Sequence, residues 1–420
     1  MAIIPRAQKI RLNPTPEQVE YFRRASGTRR FVYNWGLAEW QQQYVAHTAG
    51  QQPKAPTALD LKKQFNATKE HDYPWVYDVT KCVVEGAFDD LGKAYSNFRA
   101  GRTKYPKFKK KGKSRDSFYL ANDKFTLGDH QVQVPVLGDF LVTQKEANGE
   151  AVAHKQQAKK ELGWVNMAEN LRYVTEHIPT PTEKPRHTRK LVVSQTVKIL
   201  GATIGRHGTH WYLSIQVEIE QEYAPVAGPL VGIDVGVARL ATLSDGGRFE
   251  NQKPLTRLLQ QVRHLNKEQA RRIKGSANWQ KTKRKLARLH QRIASMRNDS
   301  HHKIAFTVSE RYSFIGVEDL NVTGMVKNRK LSRALSDAGL GQLLRYISTK
   351  AGRHGTPVIK VDRFFPSTKR CHQCHHERDM SLSERTYVCL NPACGWSGDR
   401  DENAAKNILQ EAVRMAGRVA

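Results

Sequence analysis

The sequence predicts an α+β multidomain protein whose C-terminal half is an α/β layer built on a mixed sheet. Three observations carry this. Up to about residue 222, stretches with strand alternation flank a block of helical periodicity. From residue 228 onward, short apolar strands alternate with amphipathic helices. Near the C-terminus, four cysteines stand at metal-ligand spacing.

KIRL (9–12) alternates as a strand. In NPTPEQ (13–18), Thr15 fits a helix N-cap, Pro16 the first helical position and Gln18 the capping-box acceptor. A helical pattern then runs to about His47, with Phe22, Phe31, Val32, Trp35, Leu37 and Trp40 as core candidates. Further helices are expected over about 57–69 and 79–99. Cys82, inside the second, reads as a core residue. SFYL (117–120), HQVQVPVL (130–137), LVVSQTVKIL (191–200) and HWYLSIQVEIE (210–220) read as strands. The polar stretch 144–189 reads as an insertion with no assigned role.

GPL (228–230) opens the second half. GPLVGIDVGVARLATLSDG (228–246) is a buried strand turning into another. Residues 254–311 form a helical hairpin, rich in Lys and Arg and broken near Gly275. SFIGVEDL (313–320) is a strand ending in acids. A helix over 334–353, a strand over 356–361 and a last helix over 402–416 complete the pattern.

The 420 residues include 69 Lys+Arg against 40 Asp+Glu, a formal charge of +29 and a pI near 10. Such an excess calls for a polyanion, and nucleic acid leads over an anionic membrane surface. No apolar run approaches the roughly 20 residues that span a bilayer. The start MAIIPRAQKIRL lacks a signal-peptide core, so a reducing cytoplasm is expected. There, five cysteines point to metal or a reactive thiol rather than to disulfides. RTKYPKFKKKGKSR (102–115) has eight basic residues in fourteen. It is either a solvated linker or, through Lys104, Tyr105, Lys107, Phe108, Lys109, Lys110 and Lys111, a nucleic-acid contact.

Cys371, Cys374, Cys389 and Cys394 make C-x2-C-x14-C-x4-C. Two knuckles closed by a hairpin suit a structural Zn²⁺, with no position left open for catalysis. His372, His375 and His376 lie nearby and read as solvent or nucleic-acid contacts rather than ligands. Asp234 and Glu318 each end an apolar strand, and Asp401 opens the last helix. Singly, Asp234 would serve a turn and Asp401 an N-cap, while Asp319 and Asp399 read as surface or capping residues. Gathered on one sheet edge, the three acids would repel, at about 4 kcal/mol for a pair 4 Å apart at an effective dielectric near 20. Divalent Mg²⁺ or Mn²⁺ would relieve that repulsion, and two such ions about 4 Å apart suit phosphodiester cleavage.

With these motifs in view, the chain resembles TnpB (OrfB), a family of transposon-encoded RNA-guided nucleases related to the type V CRISPR effectors. GIDVGVARLATLSDG is similar to the first RuvC motif, GVEDLNVTGM to the second and DRDENAAKNIL to the third. FFPSTKRCHQC and CLNPAC resemble the inserted zinc ribbon, and KIRLNPTPEQ, RRFVYNWGL and YPKFKKKGKSRDSF also match the family's style. The resemblance implies catalytic roles for Asp234, Glu318 and Asp401, with Asp401 rather than Asp399 as the third acid. It implies an RNase H-like (RuvC) nuclease domain over 226–366 and 397–420, with a zinc ribbon over 367–396. It also implies a β-barrel wedge from 1–14, 116–143 and 190–225, and a helical recognition lobe over 15–115. The implied partners are a transposon-end-derived guide RNA and double-stranded target DNA, bound by a monomer in the prokaryotic cytoplasm near the nucleoid, with no membrane. Hydrolysis would leave 5′-phosphate and 3′-hydroxyl ends. Three alternatives stand beside this reading: a catalytically silent RNA-guided repressor, an accessory transposase, and a nuclease without a guide.

Overall fold

A computed structural model describes residues 2–134, 140–145, 151–156, 162–172, 174–176, 192–193, 197–221, 224–381 and 383–417. The chain divides into two compact units, Met1–Gln221 and Glu222–Ala420.

The first unit begins with strand β1 (Ala2–Asn13) and helix α1 (Pro16–Thr48). The Thr15 hydroxyl accepts the N–H of Gln18, and the Gln18 side chain accepts the N–H of Thr15. This is the expected capping box, with Pro16 first in the helix. Thr57 caps α2 (Ala58–Asp72) through the N–H of Asp60, and α3 (Cys82–Arg99) follows. Val32, Leu37, Phe65, Phe88 and Leu91 join the three helices in one core. Cys82 is buried, as expected. Next come β2 (Ser117–Ala121), β3 (Thr126–Gly128) and β4 (Gln131–Gln133). Strands β5 (Phe140–Lys145) and β6 (Ala151–Gln156) pair with each other. After β7 (Trp164–Met167), β8 (Val174–Glu176) pairs with β9 (Val192–Val193). Strands β10 (Val197–His207) and β11 (His210–Gln221) complete the unit.

Seven of these strands form one sheet in the order β2-β10-β11-β1-β7-β4-β3, over a core that includes Phe22, Phe118, Leu213 and Ile215. The sheet draws in β7 from within the segment read as an insertion. Val165 and Met167 are buried, and the Gln18 amide donates to the carbonyls of Leu162 and Trp164. Much of the rest of 144–189 lies outside the described residues.

The second unit holds β12 (Leu230–Asp234), β13 (Arg239–Leu243), β14 (Arg248–Glu250), α4 (Pro254–Ala270), α5 (Ala277–Arg311) and β15 (Phe314–Glu318). It continues with α6 (Val322–Met325), α7 (Ser332–Ala338), α8 (Leu340–Ala351), β16 (Val358–Val361), β17 (Thr386–Val388), β18 (Ser397–Asp399) and α9 (Arg400–Met415). The sheet order is β14-β13-β12-β15-β16, with β12, β15 and β16 parallel and β13 and β14 antiparallel. This is the expected mixed sheet. Gly275, at φ +92°, lies in the break of the helical hairpin.

The single helix expected over 334–353 is instead two. Gly339 adopts φ +63°, ending α7 and starting α8. The bend has a use: the buried Asp337 carboxylate accepts the N–H groups of Leu255 and Thr256, satisfying the start of α4.

Side chains alternate faces along a strand. Val231, Ile233, Ile315 and Val317 point to a core shared with α5 and α8, through Ile304, Val308, Leu343 and Ile347. Leu230 and Phe314 point to the opposite face, where Ile408, Ala412 and Val413 of α9 cover them. Among the described residues, no helix is long and apolar enough to cross a membrane.

Candidate metal centres

The face covered by α9 also carries the acids. Gly232 and Gly316 are direct partners in the parallel register of β12 and β15. A Cβ on Gly232 would lie 2.0 Å from the Ala405 carbonyl oxygen, and one on Gly316 would lie 2.7 Å from the Ala412 Cβ. The two glycines thus make a floor on which α9 rests directly. Two residues further, on the same face, come Asp234 and Glu318. The first turn of α9 supplies Asp401.

Burial first, then the charges of Glu318 and Asp401, hold the Asp234 carboxyl well above its ordinary value. Burial also raises Glu318, against a hydrogen bond donated by the Ser367 hydroxyl. Asp399 caps α9: its Oδ1 accepts the N–H groups of Asp401 and Glu402, and its Oδ2 binds Arg239 at 2.8 Å. The capping role expected for Asp399 therefore holds, which leaves Asp401 free of that duty. Arg400 binds Asp401 through Nε at 3.2 Å and Nη2 at 3.1 Å. The same guanidinium favours ionisation of Asp234. Glu318 and Asp401 thus disfavour the charge on Asp234, and Arg400 supplies part of the missing positive charge. Among the described residues these three acids do not form a set of gathered metal-ligating atoms as the cysteines do. Asp319 pairs with Arg363 and Lys360 and stands apart from this set.

Among the described residues, the four cysteines are the set whose metal-ligating atoms gather within 4.8 Å of one another. Their Sγ separations include 3.8 Å for Cys371–Cys394 and 3.4 Å for Cys374–Cys389. A tetrahedral zinc with bonds near 2.3 Å needs sulfurs roughly 3.8 Å apart, so the cluster could hold Zn²⁺. The backbone N–H of His376 pulls the Cys374 thiol down to about 6, toward the thiolate that a metal requires.

None of His372, His375 and His376 joins the cysteine set. His372 instead donates its backbone N–H to Asn403 and packs edge-on to Trp396. The hairpin of β17 and β18 passes straight into α9, since Thr386 pairs with Asp399.

The ribbon's base is locked to α9 by residues that sequence reasoning missed. Asn403 donates to the Arg370 carbonyl, and Asn407 to the carbonyls of Ser367 and Arg370. Both asparagines are buried. Their signal was present as polar side chains four apart on the apolar face of the last helix. Ser367 joins the two centres, accepting from Asn407 and donating to Glu318.

Little apolar area holds the ribbon: Tyr387, Cys371 and Cys389 are its buried core. Zinc supplies on the order of 10 kcal/mol to small folds of this kind. Replacing both Cys389 and Cys394 with serine is expected to reduce bound zinc to background by elemental analysis and to unfold the ribbon. Full zinc retention would disprove the four-cysteine centre.

In the basic run of the first unit, Lys104, Tyr105, Lys107, Phe108, Lys110 and Lys111 are exposed. Tyr105 hydrogen-bonds Tyr95 through the two hydroxyls, at 3.0 Å. Lys109 differs. Its Nζ binds Asp90 at 3.0 Å and lies 3.7 Å from the Tyr33 ring centroid, while its backbone exchanges hydrogen bonds with Asn34. It serves the packing of the loop against α1 and α3.

Comparison with known proteins adds independent findings. A family profile described as "Probable transposase" matches residues 214–329, and one described as "Cas12f1-like, TNB domain" matches 341–408. A "Helix-turn-helix domain" profile matches 1–48, which here form a strand and one long helix. A Streptomyces pristinaespiralis protein named "Putative RNA-guided DNA endonuclease" is 30% identical, covering 97% of this chain and 90% of that protein. An Escherichia coli K12 protein, "Putative RNA-guided DNA endonuclease InsQ", is 31% identical, covering 96% of this chain and 91% of that protein. The solved Cas12f1–sgRNA–target DNA complex is similar in fold, with a TM-score of 0.55 at 12% identity, covering 97% of this chain and 98% of that chain.

Proposed function

Because the chain belongs to the TnpB (OrfB) family, we propose that it is an RNA-guided DNA endonuclease whose hydrolytic centre is Asp234, Glu318 and Asp401. One observation carries the assignment of the centre. Asp234 and Glu318 end adjacent parallel strands on the face covered by α9, and the first turn of α9 adds Asp401.

In this reading the second unit is an RNase H-like nuclease domain with an inserted zinc ribbon. The first unit combines a helical recognition lobe with a β-barrel wedge that grips RNA and the DNA flank. A guide RNA derived from the transposon end pairs with one DNA strand, and the protein reads a short flanking motif. Asp234, Glu318 and Asp401 would hold Mg²⁺ or Mn²⁺, which when bound polarises the phosphodiester and acidifies water. The chain's own contribution is positioning. The glycine floor sets the height of α9, Asp399 fixes its first turn, and Ser367 orients Glu318. Arg400 balances the acids from one side.

The test is cleavage of double-stranded DNA, randomised beside a fixed target, by protein co-expressed with its native transposon end in Mg²⁺. RNA-dependent cutting that enriches one flanking motif is expected. Guide-dependent binding without cutting would establish the repressor instead, and cutting without RNA would remove the guide.

A further inference from the structure

Within the first unit, a pocket of about 160 Å³ is lined among others by Ser26, Arg29 and Arg30 of α1, Asp90 of α3, and Lys109 and Arg115 of the basic run. Asp90 binds both Arg29 and Lys109, the latter at 3.0 Å. Arg30 binds Asp116 at 3.0 Å. Arg115 is exposed and makes no ion pair among the described residues. Four cations against two carboxylates leave two positive charges over. That surplus is partly desolvated, since the Arg29 and Arg30 side chains are 14% and 13% exposed. Burial lowers the Lys109 ammonium, and Arg29 and Arg30 push the same way against the pull of Asp90. Hydrogen-bonding capacity is left over as well. The Nη1 of Arg29 donates to the Ser117 hydroxyl at 2.7 Å, but its buried Nε finds no partner among the described residues. Nor does the hydroxyl of Ser26, which is 3% exposed.

Water can meet the idle donors but leaves the charge. An anion meets both. The pocket is smaller than the roughly 300–1,000 Å³ of sites that enclose drug-sized ligands, so it has room for one phosphate group and not for a nucleotide. A phosphate that ends a strand, or a free one, carries about −1.5 to −2 near pH 7. It matches the surplus of two, which a phosphate bridging two nucleotides, with a single charge, does not. We propose that this pocket binds a phosphate dianion, either free phosphate or the terminal phosphate of a nucleic-acid strand, with Ser26, Arg29 and Arg115 as its donors. The assignment concerns the first unit alone and does not depend on the nuclease reading.

The test is calorimetric titration of the full chain, freed of nucleic acid and held at constant ionic strength, with inorganic phosphate, methyl phosphate and dimethyl phosphate. The first two should bind, and dimethyl phosphate, a singly charged diester, should bind at least about tenfold more weakly. Loss of a hydrogen bond between charged groups corresponds to about 10- to 100-fold in affinity. Arg115→Gln should lose that factor for phosphate while melting as the wild type does in its absence. Ser26→Ala removes a neutral donor and should weaken phosphate by about 2- to 10-fold. If Arg115→Gln melts early, Ser26→Ala carries the test. Equal binding of dimethyl phosphate overturns the dianion, and unchanged affinity in both variants overturns the location. Failure of all three probes to bind overturns the site. Oligonucleotides with a 5′-phosphate, a 3′-phosphate or neither then identify the source. A terminal phosphate that tightens binding at least about tenfold, and loses that advantage in Arg115→Gln, makes a strand end the ligand. No such advantage, with inorganic phosphate still bound by the wild type, makes it the free anion.

Discussion

Replacing Asp234, Glu318 or Asp401 with alanine is expected to reduce DNA cleavage by at least about a thousandfold, since a divalent cation contributes several kcal/mol at the transition state. Guide-dependent DNA binding should persist, because each substitution removes a negative charge and no basic side chain. A second readout separates lost chemistry from misfolding. The raised Asp234 carboxyl binds its proton more tightly in the folded protein than in the unfolded chain. The unfolded chain therefore releases this proton first as pH rises. Stability falls as pH climbs from the ordinary carboxylate range toward the raised value, and it stays reduced above that. At neutral pH the metal-free wild type thus carries this penalty. Asp234→Asn removes it, so the variant should melt above the wild type in chelator. Mg²⁺ should raise the wild-type melting temperature and leave that of Asp234→Asn nearly unmoved. Cleavage is lost while metal-free stability is gained, a pair of opposite signs that misfolding cannot produce.

Asp401 and Asp399 provide an internal contrast. Asp399→Ala removes the cap on α9 and a partner of Arg239, a loss of about 0.5–2 kcal/mol for the cap. Asp401→Ala leaves the cap intact. Wild-type cutting by Asp401→Ala would show that the third acid is misassigned.

The elements legible from the sequence were those whose signals are local. The capping box at Thr15, the strands ending at Asp234 and Glu318, and the amphipathic last helix each arise from residues within a turn or two of one another. The cysteine spacing is similarly local on each knuckle, and the four sulfurs do gather. What escaped depends on partners far along the chain. Lys109 looks like any other lysine in its run, but its partners Asp90, Tyr33 and Asn34 lie on two earlier helices. Strand β7 has four residues and takes its place through Gln18, over a hundred positions away. The split at Gly339 follows from a left-handed glycine that brings Asp337 to α4, and the alternation of leucines continues across it. The expectation that the acids gather on one sheet edge came from strand ends alone; the two glycines under α9 became visible only in the register of β12 against β15.

Those glycines lead to the second large effect. Gly232→Ala should destabilise the second unit beyond the usual overpacking cost of about 1–3 kcal/mol, lowering its melting midpoint by about 5 °C or more. The reason is space rather than backbone conformation, since neither Gly232 nor Gly316 has positive φ. The new Cβ at 232 would meet backbone atoms of α9, at 2.0 Å from the Ala405 oxygen and 2.6 Å from the Leu409 nitrogen. Backbone cannot turn aside as a side chain can, so the whole helix must lift. Lifting α9 carries Asp401 away from Asp234 and strains the buried Asn403 and Asn407 contacts to the ribbon. Cleavage should fall accordingly, more steeply than guide-RNA binding. Gly316→Ala makes a milder and correctable clash, because its nearest neighbour is the Ala412 Cβ. Pairing it with Ala412→Gly should restore much of the lost stability and cutting, a positive coupling measurable as a double-mutant cycle by thermal melting and cleavage rate. Additive losses in that pair, or a Gly232→Ala protein that melts and cuts as the wild type does, would show that α9 does not rest on the glycine floor.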